Sequence, residues 1–246
     1  MADRDIRVGG HRIPVATAAA WISRYFDEKA NMDAASVMGG NPYAYPLYDR
    51  MDTGSGPDEL NDGDLLAPLL VNAGPTIKAV FNLQAVRPEL EAALTRVPLD
   101  LTLQSAVADG VHRPLLEPLV RILDRPGGVP GVRGTTLMKI LHRKRPHFVP
   151  LYDSRVYDCY CGTSGDHPLR PDRKRTWVEF FAVLAEAMVA DLDSQPQQWK
   201  VIAVNAPEDV SLLRVLDVVA WNLGRDRADE ASVHGDVLAG DVAGVV

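Results

Sequence analysis

The residues that could do chemistry lie in one stretch, residues 129–156, where a glycine-rich turn precedes a basic helix and an aspartate. Residues 130–134 read Pro-Gly-Val-Arg-Gly, which predicts a tight turn followed directly by a helix. Gly131 and Gly134 can adopt positive φ angles, which lets the backbone approach a ligand closely. The first N–H groups of the helix have no partner within it and are free to receive a phosphate. The turn therefore predicts a site for a phosphate backbone.

Positive charge continues from the turn into the helix that follows it. Residues 133–147 carry five basic side chains and no acid, whereas residues 49–64 carry six acids against one arginine. The net charge of −7 argues against a nonspecific nucleic-acid binder, but this segregation leaves one face able to meet phosphates. The run at 143–145 is either such a contact or a solvated helix end that complements the helix dipole. The predicted backbone-binding residues are Gly131, Arg133, Gly134, Thr135, Thr136, Lys139, Arg143, Lys144 and Arg145.

Asp153 is the candidate acid of this stretch. Pro146 and Pro150 end the basic helix, and Asp153 then stands at the N-cap position ahead of residues 154–160. An N-cap aspartate has a structural role, which stabilises a helix by about 1 kcal/mol. By residue type alone, capping is the more common role, and catalysis is the alternative.

The stretch resembles the helix-hairpin-helix superfamily of base-excision DNA glycosylases, which contains endonuclease III. The hairpin of that family has the form L-P-G-[VI]-G-x-x-T-A, and an aspartate in a V-D-T-H-V-like setting opens a later helix. Residues 129–136 read VPGVRGTT, and Asp153, in the sequence LYDSRV, follows Pro130 by 23 positions, which agrees with the family spacing. The resemblance spans roughly residues 58–165, in which residues 64–76 resemble the early helix of the family. The whole chain, with its ending LLRVLDVVAW, also resembles an actinobacterial family of uncharacterised proteins.

The resemblance implies an all-α, two-lobed helical fold of the helix-hairpin-helix glycosylase type. It implies that Asp153 is the catalytic carboxylate, which stabilises positive charge on the sugar as the glycosidic bond breaks or activates a water. The target base would be flipped out of duplex DNA into a pocket, for which Asn72 and Tyr152 are the candidate lining residues. Binding would require no cofactor and no metal ion.

The sequence departs from the family pattern at several positions. Arg133 stands where the second glycine of the hairpin usually lies, with Gly134 one place later. Thr135 occupies the position of the Schiff-base lysine of bifunctional members, so no lyase activity of that kind is expected. Asn72 replaces the glutamine that often enters the duplex, and the four-cysteine iron–sulfur motif of some members is absent.

Helical periodicity dominates the rest of the chain, with little strand-like alternation. Residues 1–13 are predicted to be a loose arm, and residues 39–57 a loop whose tyrosines either stack bases or anchor the loop to the core. Residues 199–204, WKVIAV, are predicted to form a short strand or a buried extended segment. Helices are predicted at about residues 15–28, 58–74, 75–84, 88–97, 112–124, 135–144, 174–192 and 207–224.

Composition is typical of a globular protein that does not enter the membrane. The chain has 246 residues, 46% of them hydrophobic, and no window approaches the roughly 18 apolar residues of a membrane span. The N-terminus has no signal-peptide pattern, so a cytoplasmic location is predicted. Cys159 and Cys161 are expected to be reduced thiols, and His167 alone is a weak metal ligand. The predicted segments are 1–57 (N-terminal helix and aromatic loop), 58–165 (helix-hairpin-helix-like core), 166–224 (C-terminal helical part that packs on the core) and 225–246 (flexible acidic tail).

Three functions remain open at this point. The first is a monofunctional DNA glycosylase, and the second is a DNA-binding or protein-interaction module that keeps the fold without catalysis. The third is an unrelated helical protein in which the hairpin is only a loop. His142 and His147, which flank the basic run, are expected to be polar surface groups, and Asp217 and Trp221 are expected to be packing partners.

Overall fold

The computed structural model describes residues 5–40, 42–43 and 47–233, with side chains described through Arg225. This part of the chain is mainly helical, as the sequence predicts, with twelve α-helices and one two-stranded hairpin. Two short 3-10 helices span Ala67–Val71 and Arg121–Asp124. The elements are β1 (Asp5–Val8), β2 (His11–Pro14), α1 (Val15–Phe26), α2 (Glu28–Ser36), α3 (Leu47–Arg50), α4 (Asp62–Leu66), α5 (Ile77–Leu94), α6 (Leu103–Ala108), α7 (His112–Val120), α8 (Gly134–Lys144), α9 (Ser154–Tyr160), α10 (Trp177–Ser194), α11 (Pro196–Ala203) and α12 (Leu212–Val233).

The first described residues form a hairpin rather than the predicted loose arm. Strands β1 and β2 pair antiparallel, and the side chains of Ile6 and Val8 are fully buried. In the turn between the strands, the N–H of Gly9 donates to Asp191 Oδ2 at 2.7 Å and so ties the hairpin to α10. Strands of four residues are too short for their alternation of buried and exposed side chains to be recognised in the sequence.

Three of the differences from the predicted helices have identifiable reasons. Helix α5 is one helix where two were predicted. Pro88 lies inside it and removes one hydrogen bond without ending the helix. Residues 199–204 lie mostly in α11 rather than in a strand, since Pro196 takes the first helical position and starts the helix upstream. Helix α12 continues past Gly224, so the predicted flexible tail begins as helix, and residues 234–246 of that tail lie outside the described residues.

Helices α9 and α12 approach each other closely at Gly224. A Cβ atom at this position would lie 2.0 Å from the carbonyl oxygen of Arg155, a distance that no side chain can occupy. The glycine was predicted to end α12, but it lies inside the helix and is required by the neighbouring backbone. This close approach fixes the start of α9, and with it Asp153, relative to α12.

A connected cluster of buried side chains extends from β1 to α12 and includes members of the predicted segments 1–57, 58–165 and 166–224. Helix α8 lies within this cluster. Its fully buried side chains are Leu137, Met138, Ile140 and Leu141. Within the described ranges, no helix has the length and apolar character needed to cross a membrane. The same residues contain no group of three or more His, Cys, Asp or Glu side chains that could hold a metal ion.

Candidate functional site

The predicted tight turn is present and leads directly into α8. Val129 and Val132 are buried, and the N–H of Val132 donates to the Val129 carbonyl at 2.9 Å. Gly131 has a φ of +80°, a left-handed conformation that residues with a side chain rarely adopt. Asn82 Nδ2 on α5 donates to the Pro130 carbonyl at 2.6 Å and holds the turn against that helix. The turn is therefore fixed from both sides.

The N-terminus of α8 is left without a side-chain cap. Arg133 is the N-cap residue, and no side chain caps the first turn of the helix. As in any helix, the N–H groups of that turn have no partner within the helix itself. Gly134 does not have the positive φ that the sequence suggested. It is required for packing, because a Cβ there would lie 2.8 Å from the Trp177 ring. The glycine lets the indole lie against the start of the helix.

Asp153 caps α9 and lines the same space as the turn. Its Oδ1 accepts hydrogen bonds from the N–H groups of Arg155 and Val156 at 3.0 and 3.1 Å, which is the predicted N-cap. Its Oδ2 accepts a hydrogen bond from Lys139 Nζ at 3.2 Å. The side chain is nevertheless 18% exposed and faces a large cavity. Capping and contact with a ligand are therefore compatible for this carboxylate.

Lys139 lies beside Asp153 rather than on the surface, which corrects its assignment as a backbone contact. Its side chain is 9% exposed, and a buried ammonium requires a nearby counter-charge. Asp153 supplies that charge. The hydroxyl of Tyr48 donates to the Lys139 carbonyl at 2.6 Å, so the loop tyrosine anchors this part of α8. The predicted loop residue Tyr45 lies outside the described residues.

A second buried ion network lies next to this pair. Arg214 of α12 donates to both oxygens of Asp49, through Nε at 2.8 Å and through Nη2 at 3.1 Å. Its Nη1 donates to Asp217 Oδ2, and the guanidinium also contacts the hydroxyl of Tyr25. Burial raises the pKa of Asp217 to about 6, which the charge of Arg214 opposes and that of Asp153 reinforces. The network thus holds a carboxyl group that takes up a proton under mildly acidic conditions.

A cavity of about 1370 Å³ lies between the turn, α8, α9 and α12. One of its walls is aromatic: the ring of Tyr152 lies edge-to-face against Trp177 and Phe180, with centroid separations of 5.8 and 5.3 Å. Burial raises the pKa of the Tyr152 phenol, which keeps it neutral. The volume suits a ligand of at least nucleotide size, and the wall offers aromatic side chains for contact with a planar ring.

The cavity lining is positive although the chain is negative. Eight Arg and Lys side chains line it against four aspartates, while the whole chain carries a net charge of −7. The side chains of Arg133, Arg155 and Arg173 make no hydrogen bond, ion pair or ring contact with any residue in the described part of the chain. Uncompensated positive charge around a cavity raises the local concentration of anionic ligands.

Two thirds of the predicted site residues meet at this cavity. Asp153 and Lys139 lie within it, and Asn72 lines it in a left-handed conformation with a φ of 53°. Thr136 is buried outside the lining, where its hydroxyl donates to the Ala73 carbonyl at 3.3 Å. The predicted residues that line the cavity are Asn72, Gly131, Arg133, Gly134, Thr135, Lys139, Tyr152 and Asp153.

Within the predicted basic run at 143–145, Lys144 and Arg145 lie in the protein interior and Arg143 is half-buried against the preceding segment, which corrects the assignment of these residues to a DNA backbone. Lys144 Nζ lies 3.0 Å from Asp64 Oδ1, and Arg145 pairs with Asp58. Both basic side chains are buried, and Arg143 donates to two backbone carbonyls of the preceding loop. Two of the six acids of residues 49–64 therefore pair with two of the five basic residues of 133–147, which neutralises part of the charge separation seen in the sequence.

The two histidines beside this run differ in their surroundings. His147 is exposed, as expected, whereas His142 is buried with its Nδ1 2.7 Å from the Val149 carbonyl oxygen. Burial lowers the pKa of His142 to about 4, so this side chain is neutral at physiological pH. His142 therefore packs in the protein interior as a neutral side chain.

Several residues that line the cavity were not predicted from the sequence to be site residues. Asp217 and Trp221, expected to be packing partners, both line the cavity, as does Arg214. The sequence does contain a signal for Arg214 and Asp217, because they are charged residues three positions apart in an otherwise apolar segment. Arg173 lies in a loop that reaches the cavity only through the tertiary fold, so no local sequence pattern indicated it.

Comparison with known proteins gives a family but no function. A family model described as a family of unknown function (DUF6308) matches residues 18–224. No curated protein and no solved structure matches the chain.

Proposed function

The chain belongs to the DUF6308 family of unknown function, and we propose that it binds duplex DNA and hydrolyses the N-glycosidic bond of a damaged or modified base. The observation that carries this proposal is the position of Asp153. Its carboxylate lies in a positively charged, aromatic-walled cavity that also contains the glycine turn and the uncapped start of α8. The resemblance to the helix-hairpin-helix glycosylases supports the same assignment.

The turn and α8 would hold the phosphate backbone. The first N–H groups of a helix attract anions, and those of α8 lack a capping side chain. Arg133 at the helix start and Arg173 across the cavity have no described protein partner, so both are available to phosphates. These contacts position DNA without reading its sequence.

The aromatic wall would receive the flipped base. Tyr152 and Trp177 both line the cavity, and stacking on aromatic side chains offsets part of the cost of unstacking a base. Asn72, which is exposed at the cavity in a left-handed conformation, would fill the space that the base leaves in the duplex.

Asp153 would act on the sugar. As the glycosidic bond breaks, positive charge develops at C1′, and a fixed carboxylate stabilises that charge or accepts a proton from the attacking water. Lys139 and the two N–H groups of α9 hold the carboxylate in one orientation before the substrate arrives. Lys139 is thus a positioning residue for Asp153.

One observation favours a second function, a DNA-binding module without catalysis. Both oxygens of Asp153 already accept hydrogen bonds from the protein, as they would in a purely structural N-cap. In that case the cavity and the turn bind DNA and no bond is broken.

Incubation of the protein with duplexes that contain uracil, hypoxanthine, 8-oxoguanine or 7-methylguanine separates the two functions. The proposal predicts release of at least one free base, detected by chromatography, together with DNA binding that weakens as salt increases. Salt-dependent binding without release of any base supports the binding module instead. A protein that neither binds the duplexes nor releases a base contradicts both functions.

A further inference from the structure

The buried charges beside the cavity do not balance. Three aspartates, Asp49, Asp153 and Asp217, face two cations, Lys139 and Arg214, and all five side chains are less than one fifth exposed. Burial of an unpaired carboxylate costs several kcal/mol, by order of magnitude, unless the group binds a proton. One of the three carboxyl groups is therefore the preferred site of a proton.

Asp217 is that group. Lys139 pairs with Asp153, and Arg214 binds Asp49 through two hydrogen bonds at 2.8 and 3.1 Å. Asp217 shares only the remaining nitrogen of Arg214, and its side chain is the least exposed of the three at 9%. Burial is also the largest cause of the raised pKa of Asp217.

One oxygen of Asp217 remains available to a ligand. Arg214 donates to Oδ2, whereas no residue in the described part of the chain donates to Oδ1. Asp217 lines the cavity together with Asp153, so both carboxyl groups border the space in which a ligand would lie. The charged groups that act on Asp217 from the surrounding elements are Arg214, Lys139 and Asp153, with the hydroxyls of Tyr25, Tyr48 and Tyr160.

Resting on the proposed glycosidic hydrolysis, we infer that Asp217 is a second catalytic residue, which protonates the departing base. In the reaction the C1′–N bond breaks and its electron pair moves to the base nitrogen, while the proton of Asp217 Oδ1 is transferred to the base. The oxygen of a water molecule bonds to C1′, and the proton that this water loses passes to Asp153. The products are the free neutral base and a sugar with a hydroxyl group at C1′. Exchange with solvent returns both carboxyl groups to their starting states.

This assignment selects the class of base. A neutral base such as uracil or hypoxanthine leaves as an anion unless it is protonated, so its release requires the acid. A 7-methylguanine base already carries positive charge and leaves without a proton. The role of Asp217 as an acid therefore predicts that neutral bases depend on Asp217 and that cationic bases do not.

The test compares wild-type protein with Asp217→Asn under single-turnover conditions on duplexes that contain hypoxanthine, uracil or 7-methylguanine. We expect the variant to release the neutral bases at least about 100-fold more slowly and 7-methylguanine within about threefold of the wild-type rate. The wild-type rate on neutral bases should fall as the pH rises above about 6, because Asp217 then loses its proton.

Two further variants distinguish acid catalysis from a structural role. Asp217→Glu keeps the acid and should recover part of the lost rate, and Asp209→Asn removes an exposed carboxylate outside the cavity and should change nothing. Equal losses on neutral and cationic bases, or failure of glutamate to restore any rate, overturn the assignment of Asp217 and leave the proposed function intact. Release of 7-methylguanine alone by the wild type has the same consequence. Release of no base by the wild type overturns both.

Discussion

Arg173 and Lys144 show how differently two basic residues of one chain can be used. Arg173 lines the cavity with no described partner, whereas Lys144 is buried against Asp64, whose side chain is 1% exposed. Sequence alone favoured Lys144, because it lies in a dense basic run next to the turn. Its partner lies 80 positions earlier in the chain, and such a pairing is decided by the tertiary fold.

Replacement of Arg173 should weaken DNA binding without affecting the fold. Arg173→Gln removes one cation from the mouth of the cavity, so fewer counterions are released when DNA binds. We expect lower affinity for a short duplex and a decrease of about 0.9 in the slope of log affinity against log salt. Fluorescence anisotropy across a salt series measures both quantities. An unchanged slope would show that Arg173 contacts no phosphate.

Replacement of Lys144 should have the opposite consequences. Lys144→Met leaves Asp64 buried without its ion-pair partner, which we expect to lower the free energy of unfolding by about 3–5 kcal/mol. The salt slope for DNA should stay as in the wild type. Chemical denaturation provides the stability, with the exposed Lys200→Met as a control that should change it by less than about 0.5 kcal/mol. A stable Lys144 variant with a smaller salt slope would restore the sequence-based assignment.

At the scale of elements, the contact between α9 and α12 makes a glycine indispensable. Gly224→Ala would place a methyl group 2.0 Å from the Arg155 carbonyl oxygen, where only a shift of the α9 backbone could relieve the overlap. We expect a loss of more than about 3 kcal/mol in the free energy of unfolding, or no folded protein. Gly165→Ala, which meets no atom within 4 Å, is the matched control and should be close to neutral. Equal stability of the two variants would contradict the close packing of α9 on α12.

Elements with strong local signals could be predicted from the sequence, and those defined by distant contacts could not. The turn before α8 and the cap of α9 follow from Gly131 and Asp153, whose effects are local. The hairpin of β1 and β2 could not be predicted, because its stability depends on buried contacts with α10 and the rest of the core. Gly224 was predicted to end its helix, since a glycine near an expected helix end is typical of a C-cap. Only the close approach of α9 explains why a glycine stands at this position.

At the scale of the molecule, the N-terminal hairpin depends on a buried acid of α10. Asp191 accepts the N–H of Gly9, and burial raises its pKa to about 6, above the value of about 3.9 in an unfolded chain. Between pH 4 and 6 the carboxyl group of Asp191 therefore keeps its proton in the folded protein and loses it in the unfolded chain. Rising pH then decreases the stability of the fold. The stabilising contribution is complete below about pH 4 and is lost above about pH 6, with a total of about 2–3 kcal/mol.

Comparison of wild type with Asp191→Asn isolates this effect. His142, whose pKa burial lowers to about 4, changes stability in the opposite direction over the same range and is common to both proteins. Denaturation at pH 4, 5, 6 and 7 should show the wild type losing stability relative to the variant as the pH rises. A difference between the two proteins that is independent of pH would contradict the buried acid.

The cavity itself is a property of the whole molecule. Its lining combines the aromatic loop, the turn, α8, α9, the loop before α10 that carries Arg170, Arg173 and Arg175, and α12. Residues from opposite ends of the chain, such as Tyr43 and Asp217, therefore meet at the cavity. The sequence identified the turn and Asp153 because these two features are contiguous within one motif-like stretch. It could not identify Asp217 as a site residue, because an aspartate on an apolar helix is equally typical of a packing partner.

The rate of base release by Asp153→Asn tests most directly whether Asp153 acts on the glycosidic bond. Asparagine is also a good N-cap, so the variant should keep α9 although Lys139 loses its counter-charge, and circular dichroism and anisotropy show that fold and DNA binding are retained before rates are compared. On a duplex from which the wild type releases a base, we predict a rate about 100- to 10,000-fold lower for the variant at equal DNA occupancy. Equal rates for the two folded proteins would contradict the account and leave Asp153 as a helix cap alone.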